Sequence, residues 1–416
     1  MSRDKNIPFA RPCIGPEEEA AVLRVLRSGW LTTGREALAF EAEFTRFLEG
    51  PRGGLPPLHS LTVNSATSGL HLALEACGIG AGDLVLVPSY TFVSTAEVVR
   101  YLQGEVVFVD TAPGTFHIDP KALEATLARL RRGEAAYPKP HGSGSFGPRG
   151  TPKAVIPVHY GGLPCAMDAI ITIARQYGLK VIEDAAHAFP SQLSNGTWAG
   201  TIGDLGVFSF YATKTLTTAE GGMVVSRDQE IARRIRLMRS HGIDRSVWNR
   251  YTDTRASWYY EVVAAGYKYN MPDLLAALGR VQLARAGELL DRRKKIAARY
   301  DAAFQDEGSL SLPPTGPGDA RHLYPLRLNL EILSISRDGF IEKIQAADVG
   351  VSVHFIPLHS MPYYRERYGL TEGDLPESMR SFQRAISLPL WPMMQDSEVE
   401  RVIEVVKTIA QEHRSA

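Results

Sequence analysis

Apolar positions between residues 61 and 226 follow two periods in alternation. Short β-branched runs, Leu61-Thr-Val-Asn64, Leu84-Val-Leu-Val87, Val106-Val-Phe-Val109, Ala154-Val-Ile-Pro-Val158 and Lys180-Val-Ile182, read as strands. Between them lie helical spacings at Leu70–Ala76, through Ala96 to Tyr101, at Pro120–Arg132 and at Ala166–Tyr177. Strands separated by helix-length segments imply βαβ units, hence a mostly parallel sheet covered on both faces. Gly206–Phe210 and Gly222–Ser226 add two strands, and a helix is expected from Asp228 to about Ser240. A long amphipathic pattern over Asp273–Tyr300 predicts one connecting helix. Beyond it, Tyr324–Leu330 and Val351–Ile356 read as strands, Asp338–Ala346 and Glu398–Ala410 as helices. The expected fold class is therefore α/β. It has a three-layer α/β/α large domain over residues 1–265, then a linking helix and a smaller α+β domain over 266–416. Residues 133–152, dominated by Gly, Pro and Ser, break the alternation and predict a mobile surface insertion.

Composition narrows the class. Of 416 residues, 44% are hydrophobic and 22% charged, which argues against a disordered chain. Lys and Arg number 46 and so do Asp and Glu, so no basic excess exists to neutralise a nucleic acid. The short runs Arg131-Arg132 and Arg292-Arg293-Lys294-Lys295 read as solvated helix faces. Cys13, Cys77 and Cys165 are odd in number and far apart, which indicates neither a disulfide framework nor a metal site. The first residues lack an apolar signal region, and no run approaches the ~18 apolar residues of a membrane span. A reduced, cytoplasmic protein is expected.

Three segments carry chemistry. Val181-Ile-Glu-Asp184-Ala-Ala-His187 ends a strand in an acid, at the sheet edge where α/β ligands bind. Phe208-Ser209-Phe-Tyr-Ala-Thr-Lys214 places one lysine just after a strand, ahead of Gly221-Gly222. Val63-Asn-Ser-Ala-Thr67-Ser68-Gly69 sets small and hydroxyl residues at a strand-to-helix junction, where free N–H groups and the helix dipole favour an anion. A lysine, an acid and a phosphate nest are the handles required by pyridoxal 5′-phosphate (PLP). Singly, the lysine and the acid have ordinary readings: a surface lysine, and a turn or capping Asp.

In order and type, the chain resembles the DegT/DnrJ/StrS family of PLP-dependent sugar aminotransferases, of the fold-type I (aspartate aminotransferase-like) class. The resemblance runs through Gly29-Trp-Leu-Thr-Thr-Gly34, Pro88-Ser-Tyr-Thr-Phe92, Val158-His-Tyr-Gly-Gly162, Glu183-Asp-Ala-Ala-His187 and Ser209-Phe-Tyr-Ala-Thr-Lys214. It continues in Gly266-Tyr-Lys-Tyr-Asn-Met271, Val353-His-Phe-Ile-Pro-Leu-His359 and Ser387-Leu-Pro-Leu390. It implies Lys214 as the Schiff-base lysine and Asp184 as partner of the pyridine nitrogen. It further implies Phe92 and Ala186 on the two ring faces, and His187 near the phenolic oxygen. Thr67, Ser68 and Ser209 then fall at the phosphate. Lys268 lies in a segment that crosses from a neighbouring subunit, which makes a homodimer with shared sites. His354 and Thr33 are expected to face substrate. Where relatives read Thr-Gly-Glu-Gly-Gly, this chain has Thr218-Ala219-Glu220-Gly221-Gly222, so the turn is expected to suit an L-residue.

The resemblance implies transfer of an amino group from L-glutamate to a nucleotide-linked keto-sugar, foremost a 4-keto-6-deoxyhexose. A keto-inositol (cyclitol) aminotransferase is the near alternative. A PLP-dependent sugar dehydratase has histidine in place of the lysine, and a non-catalytic sensor is expected to lose the lysine or acid. Lys214 and Asp184 are both present.

Overall fold

The computed structural model describes residues 6–50, 55–139, 144–244, 260–316 and 318–415. The first five residues, on which the reading of the N-terminus partly rests, and 140–143 within the expected insertion lie outside these.

Two helices precede the first strand, α1 (Pro16–Ser28) and α2 (Arg35–Glu49). The alternation then begins with β1 (His59–Val63), α3 (Ala66–Ala76), β2 (Asp83–Pro88), α4 (Ser94–Tyr101), β3 (Glu105–Val109) and α5 (Pro120–Arg131). Helix α5 starts where the sequence signals it. Pro120 opens the first turn, and Asp119 Oδ1 accepts from the Lys121 N–H. A short hairpin follows, β4 (Tyr137–Pro138) and β5 (Ser145–Phe146). Next come β6 (Thr151–Val155), α6 (Met167–Tyr177), β7 (Lys180–Asp184), β8 (Leu205–Ser209), β9 (Gly222–Ser226) and α7 (Gln229–Met238).

The main sheet has seven strands in the order β1-β9-β8-β7-β6-β2-β3. β8, β7, β6, β2 and β3 are parallel, and β9 runs antiparallel between β1 and β8, so β9 alone is reversed. Strands β2, β3 and β7 to β9 are buried almost throughout, as their unbroken apolar runs require of strands covered on both faces. Helix α3 lies directly on the sheet because residue 69 is glycine. A Cβ there would stand 2.8 Å from Val207 Cγ1 and 3.1 Å from Val224 Cγ2. On the other face Phe40, Phe44, Phe189, Phe208 and Phe210 form an aromatic core, with Phe44 stacked on Phe189 at 4.9 Å. Burying each such ring stabilises the fold by roughly 2–3 kcal/mol.

The expected helix over 273–300 is two helices, α8 (Asp273–Ala284) and α9 (Ala286–Phe304). At the joint Arg285 leaves helical geometry (φ −95°, ψ 2°), and its guanidinium pairs with Glu18 on α1 at 2.7 Å. α8 packs on α1 and α2. α9 belongs to a second core around a three-stranded antiparallel sheet, β10 (Leu310–Ser311), β11 (Tyr324–Leu328) and β12 (Ala385–Leu388). Helices α10 (Arg337–Ala346), α11 (Pro362–Tyr368), α12 (Pro376–Arg384) and α13 (Asp396–Glu412) complete the C-terminal part. α10 and α13 pack on each other and, with α9, contribute to the second core. Ile7 joins this second core, bridging Val349, although it stands at the other end of the chain.

Two further expectations are corrected. Val351–Ile356 is extended but forms no strand, because its pairing is limited to one bridge between Ser352 and Ser387. The 133–152 segment is not a structureless insertion. Its hairpin is pinned by Tyr137, which is 4% exposed, stacks near Phe146 and accepts from the Phe108 N–H at 2.7 Å.

Candidate active site

The topology gathers the chemistry at one sheet edge. β1, β7 and β8 end there, and β9, running the other way, begins there. The register sets Val63, Gly222 and Ser209 side by side, and Asp184 beside Val207. Gly222 permits a close approach: a Cβ would lie 2.8 Å from the Ala66 nitrogen at the start of α3 and 2.8 Å from the Phe208 oxygen. The first turn of α3 is thereby drawn down onto the strand ends, above a cavity of about 450 Å³.

Among the residues expected at the site, Thr67, Phe92, Asp184, Ala186, His187, Ser209, Lys214 and His354 all line this cavity. Asp184 is buried (4% exposed). Its Oδ2 accepts from Thr95 Oγ1 at 2.9 Å and its Oδ1 from the Ala186 N–H at 3.1 Å. Burial raises its pKa despite these donors, because two hydrogen bonds replace less solvation than ionisation demands. Lys214 sits in the loop joining β8 to β9, whose ends are tied by Thr218 N–H to Phe210 O (2.8 Å) and Phe210 N–H to Gly221 O (2.9 Å). Loss of hydration pushes the Lys214 amine down to about 8, with Asp184 opposing the shift. About a tenth of the amine is therefore neutral and nucleophilic at pH 7, far more than for an ordinary lysine.

His187 is buried, and its Nδ1 accepts from the Gly161 N–H at 3.2 Å. Burial, with Lys214 and His354 nearby, holds it well below its usual pKa, so the ring is neutral. With Nδ1 occupied as an acceptor, the proton resides on Nε2. Behind Asp184, Glu183 is fully buried. Its carboxylate accepts from the N–H groups of Gly200, Ile202 and Gly203 at 2.6–2.8 Å and from His159 Nε2 at 2.8 Å. These bonds anchor the 200–203 turn against β7 and fix the strand that delivers Asp184. Phe92, by contrast, is 54% exposed at the cavity mouth, 5.7 Å from Phe355.

Three expected residues are placed elsewhere. Ser68 is buried in a capping box, where the Ser65 side chain accepts from the Ser68 N–H and Ser68 Oγ donates to Ser65 O at 2.8 Å. Ser65 takes its place on the cavity wall. Thr33 Oγ1 donates to Met271 O at 2.5 Å and accepts from Asn270 Nδ2, which ties the 29–34 segment to the start of α8. Lys268 is exposed and bridges Ser240, away from this chain's own cavity. Ala219 departs from expectation too: its φ is +69°, a left-handed backbone that favours glycine. The turn is held by Ala219 N–H to Thr217 Oγ1 (3.0 Å) and Thr218 Oγ1 to Glu220 O (2.7 Å).

Sequence reasoning missed Thr95, Ser65, His322 and the N-terminal Phe9 and Ala10, of which all but Thr95 line the cavity. Thr95 carried a faint signal, three residues beyond Phe92 in a quoted motif. His322 carried none.

The lining fits PLP: a half-buried amine of depressed basicity, a buried carboxylate, and a helix N-terminus stripped of bulk by Gly222. Among the described residues no cluster suited to a metal ion occurs, and no helix is long and apolar enough to cross a membrane.

Comparison with known proteins agrees. The chain is 42% identical over 413 residues to SpsC, a spore coat polysaccharide biosynthesis protein of Bacillus subtilis, covering 98% of each. It is 41% identical to an uncharacterised protein of Methanocaldococcus jannaschii over the full length of both. A Streptococcus pneumoniae protein described as a sugar aminotransferase, solved in PLP and PMP forms, superposes with TM-score 0.82 at 29% identity, covering 98% of this chain and 98–99% of that one. DesI, solved with its TDP-sugar product, gives a TM-score of 0.80 at 28% identity over 98% of this chain and 94% of that one. With its family match spanning residues 12–407, the chain belongs to the DegT/DnrJ/EryC1/StrS aminotransferase family and is a PLP-dependent aminotransferase.

Proposed function

We propose that the protein transfers the amino group of L-glutamate to a nucleotide-linked keto-sugar, foremost a 4-keto-6-deoxyhexose. The observation that carries this reading is the pairing of Lys214 and Asp184 in one water-poor cavity. Bound PLP supplies an electron sink for the carbon that loses or gains a proton. Lys214 would hold the cofactor, and its amine of depressed basicity would carry that proton. Asp184 keeps the pyridine nitrogen protonated, and Thr95 orients the carboxylate that does so. His187, with its proton on Nε2, would serve the phenolic oxygen, and Phe92 and Ala186 would flank the ring. Thr67, Ser65 and Ser209, with the first N–H groups of α3, receive the phosphate. Ser68 supports them as the capping partner of Ser65.

We read the working form as a homodimer. Leu23 and Leu26 on α1, with Leu31 and Leu38, are each 46–47% exposed and supply an apolar face for a second copy. Lys268, exposed and outside the lining of its own cavity, then serves the neighbour's phosphate site, and Thr33 supports the adjoining segment. His354 contributes to substrate binding. The free cysteines Cys13, Cys77 and Cys165 accord with a cytoplasmic enzyme. The likeness to a polysaccharide biosynthesis protein supports a role in amino-sugar production.

The test compares glutamate-dependent amination of nucleotide keto-sugars and of keto-inositols. Preference for keto-inositols would move the assignment to the cyclitol alternative. Repeated turnover by Lys214→Ala at an undiminished rate refutes the mechanism.

A further inference from the structure

The cavity must admit substrates as well as cofactor, and its walls say what charge it accepts. Besides Lys214, three imidazoles line it, those of His187, His322 and His354. Against them stand the buried Asp184 and the exposed Glu220. Among the described lining residues there is no arginine. Lys214 and His187 are occupied in the reading above, which leaves His322 and His354.

His322 is 5% exposed, and its ring centre lies 4.5 Å from that of His187. Its N–H donates to Gly161 O at 2.9 Å, while Nδ1 is buried without a partner. An orphaned lone pair costs less than an orphaned N–H donor, so the proton resides on Nε2. His354 Nδ1 is engaged with Ser387 Oγ at 2.9 Å, which leaves Nε2 as its remaining ring nitrogen. The wall is braced from behind. Arg293, 3% exposed, donates from Nη1 to His322 O at 3.3 Å and to Leu390 O at 2.8 Å. Burial and the neighbouring Lys214 keep both imidazoles neutral, His354 down to about 4. A neutral N–H donor at His322, with His354 Nε2 on the same cavity wall, suits a planar monoanion, whereas a diphosphate calls for cations. Leu323, Leu388 and Leu390 line the same cavity and suit an aliphatic stem.

We propose that His322 and His354 form a carboxylate subsite that receives the amino-acid donor. This rests on the aminotransferase reading with an amino-acid donor. In the test, the PLP-loaded protein is titrated with glutarate, a dicarboxylate with no amine to transfer, and separately with dTDP. His322→Phe is expected to weaken glutarate tenfold or more and to raise KM for glutamate by a similar factor. Its dTDP affinity and its PLP stoichiometry stay within twofold of wild type. His322→Gln, which keeps an N–H donor, recovers part of the glutarate affinity, and His354→Gln shows the same pattern should His322→Phe fail to fold. Unchanged glutarate binding overturns the subsite, and so does a loss confined to dTDP, which would assign these histidines to a phosphate. Amino transfer from amines lacking a carboxylate, without glutarate binding, overturns the subsite and leaves the transferase reading intact. Failure of the wild type to lose its yellow colour with any amine overturns that reading instead.

Discussion

Replacing Thr95 by valine removes a hydroxyl and keeps the shape of the side chain. Thr95 is fully buried and donates to Asp184 Oδ2 at 2.9 Å, while its oxygen lies 2.9 Å from Thr91 Oγ1. With its one proton given to Asp184, Thr95 must accept from Thr91, so the three groups form a directed chain. A hydrogen bond to a charged acceptor contributes about 1.5–3 kcal/mol. At 1.36 kcal/mol per pKa unit, the Asp184 pKa rises by roughly one to two further units in Thr95→Val. Because burial already raises that pKa, ionised Asp184 costs stability above its folded pKa, and the cost fades as pH falls through it. Cofactor-free Thr95→Val is therefore expected to lose about 1.5–3 kcal/mol in urea unfolding at neutral pH, and less in acid. A loss from packing alone would not depend on pH. PLP affinity, read by titrating the apo-protein and following cofactor absorbance, should fall about tenfold, with recovery in Thr95→Ser. Wild-type affinity and a pH-independent stability loss would refute the reasoning.

Other expectations follow from the same geometry. Since the Lys214 amine is pushed down to about 8, capture of PLP by the apo-protein, trapped with borohydride, should accelerate with pH and level off above about 8. Asp184→Ala removes the charge that supports the ammonium form, so that plateau should move to lower pH. Ala219→Gly relieves a left-handed alanine that costs ~1–2 kcal/mol against ~0.5–1 kcal/mol of added chain entropy, so unfolding should show a gain of roughly 0.5–1 kcal/mol. Glu183→Gln turns one acceptor oxygen into a donor among four donors, and should cost about 3–5 kcal/mol in urea unfolding.

Most of the sheet was legible because strands buried on both faces have unbroken β-branched runs, as at Leu84–Val87 and Val106–Val109. The break at Arg285 was not: its one local mark is Gly287 two residues on, and its cause is tertiary, since α8 packs on α1 while α9 turns to the second core. For the same reason the packing changes partners near 285, within the segment expected to link the two domains. Val351–Ile356 has strand composition, but its pairing is one bridge, and His354 and Phe355 are given to the cavity. At the site, Lys214 and Asp184 announce themselves by following strands. His322 does not, because it precedes β11 and reaches the cavity only when the second core folds back onto the sheet edge. Ser68 was misplaced by one turn of the same logic: hydroxyls at a helix start cap it as readily as they bind a ligand.

The single reversed strand, β9, makes the connection that carries Lys214 a hairpin, whereas β2 to β3 and β6 to β7 are joined by crossovers that each need a helix. Phe210 at its start bonds Thr218 and Gly221 towards its end, over separations of eight and eleven residues. Local pairings of this kind close with little entropy loss. The reactive amine therefore sits on a connection whose closing bonds are local in sequence, while the other edge of β9 is completed by the distant β1.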